Sequence, residues 1–350
     1  MPSSPSALLL QWYDGCKRDL PWRKTRDPYR IWLSEIMLQQ TRTETVKGYY
    51  ARFLSLFPTV AALAAAPQEQ VLKAWEGLGY YSRARNLQRA AQDIVEKHGG
   101  IFPSKYEDIL ALPGIGPYTA GAIGSIAFGL PVPAIDGNVY RVASRFFGVR
   151  DDVGHPSVQK HIRQLVAQSI PPERPGDYNQ ALMELGATLC CPGMPDCGRC
   201  PWHSQCDACR EGDAPSLPIH EKKRPPKQVD VAVCLLTYND QILVCRRKER
   251  MLGGLYVFWL IEDEASPQRT QALLNESGFS CCFAASLGEA RHIFTHRVWN
   301  MHILHYRLES PPSQTALDGA EACMVTRAQL DALPFPSAMK AALCAARQLL

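Results

Sequence analysis

The chain has 350 residues, 46% of them hydrophobic and 21% charged, with a formal net charge of +4. That length accommodates two domains with separate cores, and that composition excludes a disordered or fibrous chain. No run of about 18 apolar residues offers a transmembrane helix, and the first ten residues lack the basic start and small-residue cleavage site of a secretion signal. A cytoplasmic protein with no membrane partner is expected, nucleoid-associated if the source is prokaryotic. The mild positive charge permits nucleic-acid binding without demanding it.

The first two hundred residues carry helical signals with no competing strand pattern. Asp27-Pro28 is an N-cap followed by proline at the first helical position, leading into the apolar stripe Tyr29, Trp32, Leu33 and Ile36. A second helix holds Val46, Tyr49, Tyr50, Phe53, Leu54 and Phe57. A third holds Val71, Leu72 and Trp75 and stops at Gly77-Leu78-Gly79. A fourth runs to His98 and ends at Gly99-Gly100, a C-cap signal. Ser104 begins a short helix reaching Ala111. Leu112-Pro113-Gly114-Ile115-Gly116-Pro117 then forms a tight turn into a helix ending near Gly129, and Asp136 and Asp177 each precede a further helix. Residues 211–228 are polar, proline-rich and charged, as an interdomain linker would be. Beyond them the pattern turns to strand: Val229 to Thr237 and Gln241 to Arg246 flank Asn239-Asp240 as a hairpin, and Val298 to Leu308 is another strand. Gln268 to Ser277 and Ser337 to Leu349 read as helices. The expectation is an all-α domain over 1–210, a linker over 211–228 and an α+β domain over 229–350.

Thirteen cysteines without a secretion signal argue against a disulfide framework, and six of them lie between Cys190 and Cys209. Cys190, Cys197, Cys200 and Cys206 follow a C-x6-C-x2-C-x5-C spacing. Four thiolates in one loop bind either zinc or an iron–sulfur cluster, and the spacing alone does not separate them. Cys191 competes with Cys190 as the first ligand.

Three other features bear on chemistry. The Leu112–Gly116 turn, with exposed N–H groups and a helix N-terminus behind it, suits a DNA phosphate, although an ordinary glycine turn between two helices has the same sequence. Glu35 sits among Ile31, Trp32, Ile36 and Leu38, surroundings that favour a protonated carboxyl. Asp136, at a helix start, is placed to stay anionic. A glycosidic-bond cleaver needs two carboxyls in these two states. Taken singly, each also reads as a solvated helix glutamate and a plain N-cap aspartate.

The order of these pieces resembles the helix-hairpin-helix DNA glycosylase superfamily with a C-terminal iron–sulfur loop, over about the first 220 residues. Within it the chain is similar to the MutY-type adenine glycosylases. The residues that carry the likeness are Leu20-Pro21-Trp22-Arg23, Ser34-Glu35-Ile36-Met37-Leu38-Gln39-Gln40-Thr41, Glu76-Gly77-Leu78-Gly79-Tyr80-Tyr81-Ser82-Arg83, Leu112 to Thr119, Ile135-Asp136-Gly137-Asn138-Val139, Glu184 within Ala181 to Gly186, and the cysteine loop.

The resemblance implies a [4Fe–4S] cluster on Cys190, Cys197, Cys200 and Cys206. It implies excision of adenine opposite 8-oxoguanine or guanine in double-stranded DNA by a monomer. Glu35 would be the general acid and Asp136 the group that stabilises the sugar cation, with Tyr118 and Asn138 assisting. Trp22, Arg23, Leu38 and Glu184 would form the adenine pocket. Gln40, Thr41, Tyr80, Gly114 and Gly116 would contact DNA, with Gln40 and Tyr80 filling the duplex. Bifunctional relatives carry a Schiff-base lysine where Tyr118 stands, so a monofunctional enzyme is expected. Relatives acting on thymine mispairs or oxidised pyrimidines, and a non-catalytic redox-sensing DNA-binding protein, are the competing readings.

The second domain resembles the Nudix-like domain that ends these glycosylases. No R-E-x-x-E-E run follows Gly253-Gly254, so pyrophosphate hydrolysis is not expected. Phe294-Thr295-His296 matches the family's Phe-Ser-His loop that reads 8-oxoguanine, with threonine replacing serine.

Overall fold

The computed structural model describes residues 4–221, 225–248, 251–319 and 321–350. By internal contact the chain separates into two units, one formed by residues 1–66 with 85–222 and the other by 67–84 with 223–350. Of the expected linker, Lys222, Lys223 and Arg224 lie outside the described residues.

The first unit is helical. It contains α1 (Pro5–Cys16), α2 (Pro28–Leu38), α3 (Thr43–Leu56), α4 (Val60–Ala65), and, after an interruption that belongs to the other unit and includes α5 (Gln68–Ala74), most of α6 (Ser82–His98). The chain continues through α7 (Tyr106–Leu110), α8 (Pro117–Phe128), α9 (Gly137–Phe147), α10 (Pro156–Ser169), α11 (Pro175–Thr188) and α12 (Asp207–Glu211). The Asp27 carboxylate accepts from the Tyr29 N–H at 2.9 Å, the capping bond that Asp27-Pro28 predicts.

Several boundaries differ from the sequence signals. α11 begins at Pro175, not after Asp177, because proline is well placed at a first helical position; Asp177 falls in the first turn, where the helix dipole favours it. The short helix begins at Tyr106 rather than Ser104. In α10 the fully buried side chains are Ile162 and Val166, one turn apart, with Val158 and Leu165 packing against the same core at its margin.

Close backbone approach requires glycine at several places, two of which bear on the start of α9. A Cβ on Gly121 of α8 would collide with the Pro133 carbonyl oxygen, and one on Gly186 of α11 would lie 2.7 Å from the Asn138 Cβ. Both contacts press the 133–138 segment against neighbouring helices and fix the start of α9.

The second unit is α+β, with strands β1 (Lys227–Tyr238), β2 (Gln241–Arg246), β3 (Tyr256–Val257), β4 (Trp259–Glu262), β5 (Cys281–Ile293), β6 (Arg297–Leu308) and β7 (Ala322–Val325). The sheet order is β3-β2-β1-β6-β5, with β4 added to β1 and β7 to β2. The β1–β6 pair is parallel; the other strand pairs are antiparallel. β1 is buried on both faces. Val229, Val231, Val233 and Leu235 meet α16 (Lys340–Leu349), whereas Ala232, Cys234 and Leu236 pack in the cluster containing Leu274 of α13 (Pro267–Glu276). Two further helices, α14 (Gln314–Gly319) and α15 (Arg327–Ala332), complete the unit. β5 escaped sequence reading because it is an exposed edge strand, paired among the described residues with β6 alone, so little of its length alternates apolar with polar.

Candidate active site

Glu35 lies on α2 inside the apolar environment its neighbours predict, only 6% exposed. Its Oε2 accepts a hydrogen bond from the Tyr118 hydroxyl, at the start of α8, at 2.5 Å. Burial pushes its carboxyl up to about 7 and the charge of Asp136 adds to the rise, while the Tyr118 bond and the Arg23 cation oppose it.

Asp136 is the N-cap of α9. Its Oδ1 accepts from the Val139 N–H at 2.8 Å and its Oδ2 from the Asn138 side-chain amide at 2.9 Å. Burial raises its proton affinity too, so the helix terminus alone does not decide its state. The hydrogen bonds from Val139 and Asn138 and the charge of Arg141 oppose that rise. The two carboxyls thus have different surroundings, and the charge of Asp136 reaches Glu35. Asp136 is held by several donors, whereas Glu35 is enclosed mainly by apolar groups.

Asn138 is fixed from behind. Its Oδ1 accepts from Arg141 at 2.8 Å, and the same guanidinium donates to the Gly186 and Cys190 carbonyls, each at 2.8 Å.

The predicted pocket residues include one ion cluster built on a buried carboxylate. The Glu184 carboxylate is fully enclosed and accepts from Arg23 at 2.8 Å and, in bidentate fashion, from Arg18 at 2.7 Å for each bond. Burial alone would raise its carboxyl, but the two arginines outweigh that and hold it at about 2. Glu184 is therefore an anion that orients Arg23, with both oxygens already engaged. Sequence reading missed Arg18, whose only signal was its position five residues before Arg23. Trp22 is buried edge-on against Tyr50 with ring centres 5.5 Å apart, and Leu38 is half-buried at the end of α2.

Gly114 has φ of +75°, in the left-handed region, and stands between α7 and α8; Gly116 caps α8. Gln40 and Tyr80 share an unusual backbone, with φ of +56° and +48°. Non-glycine residues adopt this conformation at a cost of about 1–2 kcal/mol, and such strain gathers at functional turns. Both are exposed, and Thr41 follows Gln40 directly. Tyr80 belongs to the 67–84 segment of the second unit.

Phe294-Thr295-His296 is the turn between β5 and β6. Thr295 and His296 are exposed, while the Phe294 ring packs edge-on against Trp299 at 5.0 Å and His292 at 4.6 Å.

The cysteine loop forms a small cradle lined by Cys190, Cys197, Cys200, Cys206 and Cys209. The Cys191 thiol instead points to the Ala187 carbonyl. Arg145, 1% exposed, donates to the Cys190 sulfur at 3.3 Å and otherwise to the Cys191, Gly193 and Leu217 carbonyls. Among the described residues it pairs with no carboxylate. A buried cation facing converging thiols suits an anionic metal–thiolate group, so the loop fits an iron–sulfur cluster.

Comparison with known proteins agrees with this architecture. Residues 33–168 match the HhH-GPD superfamily of base excision DNA repair proteins, and residues 231–345 match the NUDIX domain. The adenine DNA glycosylase of Mus musculus is 37% identical over 89% of this chain and 72% of its own length. That of Schizosaccharomyces pombe is 40% identical over 89% of this chain and 83% of its own. A thermostable thymine-DNA glycosylase structure, 30% identical, superposes with a TM-score of 0.54 over 59% of this chain and 95% of that one. A trapped endonuclease III–DNA complex, 24% identical over 59% of this chain and 94% of that one, shares the fold with a TM-score of 0.51. On the identity and coverage shared with these relatives, the chain belongs to the adenine DNA glycosylase family.

Proposed function

We propose that this protein is a monofunctional base-excision DNA glycosylase that removes adenine opposite 8-oxoguanine or guanine from double-stranded DNA. Family membership supports adenine as the excised base. The observation that carries the chemistry is the enclosed Glu35 carboxyl, pushed up to about 7, bonded to Tyr118 and within reach of the charge of Asp136, which is itself held by several donors.

The adenine is flipped from the duplex, at a cost of a few kcal/mol that a mispair reduces. Glu35, protonated and oriented by Tyr118, gives its proton to the purine, at N7 by likeness to the family, and so improves the leaving group. The glycosidic bond breaks with its electrons going to the base, and positive charge develops on the sugar. Asp136, held by Asn138 and the start of α9, stabilises that cation. Water then adds its hydroxyl to C1′ and gives up a proton, leaving an abasic site. The phenol of Tyr118 stays unionised at neutral pH, because burial and the two carboxyls raise it well above its usual range. With no amine at that position, no Schiff base forms.

Trp22, Arg23 and Leu38 would line the base pocket, with Glu184 orienting Arg23. Gly114 and Gly116 would meet the DNA backbone, Gln40 and Tyr80 would occupy the space the adenine leaves, and Phe294, Thr295 and His296 would read the opposite base. Cys190, Cys197, Cys200 and Cys206 would hold a [4Fe–4S] cluster. When bound, it supplies a rigid anionic cross-link for the loop, with Arg145 as its internal counter-cation. The direct test is Glu35→Gln, which should abolish base release while leaving DNA binding intact; undiminished release would exclude Glu35 from proton transfer.

A further inference from the structure

Tyr80 stands on a turn whose geometry is fixed from within. Gly77 and Gly79 have φ of +96° and +71°, and the Trp75 indole donates to the Gly79 carbonyl at 3.2 Å. The Arg83 guanidinium donates to the Leu78 and Gly79 carbonyls, both at 3.1 Å, and lies 5.6 Å from the centre of the Tyr80 ring. The outer hold on this turn comes from residues 331–335. The Tyr81 hydroxyl donates to the Phe335 carbonyl at 3.1 Å, and the Phe335 N–H donates to Glu76 Oε1 at 3.2 Å. Lys73 donates to the Asp331 and Leu333 carbonyls at 3.0 and 3.1 Å.

Phe335 is 2% exposed and its ring stacks on Phe258 at 5.4 Å. Phe258 and Trp299 share one buried core cluster, against which Phe294 also packs. The Tyr80 turn and the Phe294-Thr295-His296 turn are thus anchored to the same core of one unit.

We propose that the 331–335 strap, through Glu76 and Tyr81, positions Tyr80 for insertion into DNA and couples that insertion to reading of the base opposite the adenine. Glu76 and Tyr81 are positioning residues in this scheme. The Phe335 backbone engages both of them through its N–H and its carbonyl, so a shift of the core under the lesion-reading turn is transmitted to the Tyr80 turn by directional bonds. The proposal rests on Tyr80 being the duplex-filling residue.

The test uses full-length Tyr81→Phe, Glu76→Ala, Glu76→Gln and Tyr80→Ala, with single-turnover adenine release measured opposite 8-oxoguanine and opposite guanine. Melting temperatures control for folding. Tyr81→Phe and Glu76→Ala should slow release opposite 8-oxoguanine by about tenfold or more, since small misplacement of a positioned group has effects of that order. They should also narrow the preference for 8-oxoguanine over guanine. Glu76→Gln retains an acceptor for the Phe335 N–H but loses the 2.8 Å ion pair with Lys73, so its rate and preference should lie between those of wild type and Glu76→Ala, and a loss equal to that of Glu76→Ala would overturn the role given to the Phe335 bond. Combining Tyr81→Phe with Thr295→Ala should give an effect at least about threefold smaller than the product of the single effects. Wild-type preference in Tyr81→Phe and Glu76→Ala, or multiplicative behaviour of the pair, overturns the coupling. If Tyr80→Ala acts as wild type, the duplex-filling role itself fails and the proposal with it. If Tyr80→Ala is impaired while Tyr81→Phe and Glu76→Ala are not, the strap alone is excluded.

Discussion

Replacing Glu35 with glutamine should damage catalysis and strengthen the fold at the same time. The folded protein raises this carboxyl from its ordinary 4.5 to about 7. Its folded form therefore binds the proton more tightly than the unfolded chain does. Stability associated with Glu35 is fully present below pH 4.5, falls as pH rises through 7, and above that is lower by about 3 kcal/mol. Glutamine carries no charge to bury and still accepts from Tyr118. The variant should exceed wild type in stability by up to about 3 kcal/mol at pH 8 and show little difference at pH 4. Its base release should fall at least about a hundredfold, the usual scale for losing a general acid. Wild-type release should itself drop roughly tenfold between pH 6 and pH 8, because only the protonated carboxyl donates. Urea unfolding at the two pH values, with single-turnover adenine release, measures both effects. A variant that keeps its rate, or loses stability at pH 8, would refute the assignment of a neutral buried acid.

Other consequences follow from the same geometry. Asp136→Asn should lower base release by about a hundredfold or more while changing stability by less than about 1 kcal/mol, because asparagine caps helices as well as aspartate does; melting curves and kinetics separate the two. Borohydride added during turnover should trap no covalent protein–DNA adduct, and a trapped adduct would reveal an amine nucleophile. The purified protein should be brown and contain iron and acid-labile sulfide in equal amounts; colourless protein with zinc would reassign the cysteine cradle. Thr295→Ala should bring the rates opposite 8-oxoguanine and guanine closer together, by a few-fold if one hydrogen bond is lost.

The placement of Glu35 and Asp136 was legible because its signals are local: an acidic residue within an apolar helix stripe, and an Asp-Gly at a helix start. The four spaced cysteines were legible for the same reason. What sequence could not supply was the long-range pairing. Glu184 read as a pocket residue, but its carboxylate is consumed by Arg18, 166 positions away along the chain, and nothing in the Arg18 neighbourhood announces that bond. Asp136 read as an anion favoured by a helix terminus, yet burial acts against that charge and Arg141 and Asn138 must counter it. Residues 67–84 look continuous with the helices around them. Their attachment to the strap at 331–335 follows from hydrogen bonds to backbone groups, which leave no side-chain pattern in the strap itself.

The most direct measurement is base release from otherwise identical duplexes that vary both the target base and its partner. Adenine should be released fastest opposite 8-oxoguanine, more slowly opposite guanine and least opposite cytosine, while thymine opposite guanine stays intact. Release of thymine, or binding to every duplex without release of any base, would contradict an adenine glycosylase built on Glu35 and Asp136.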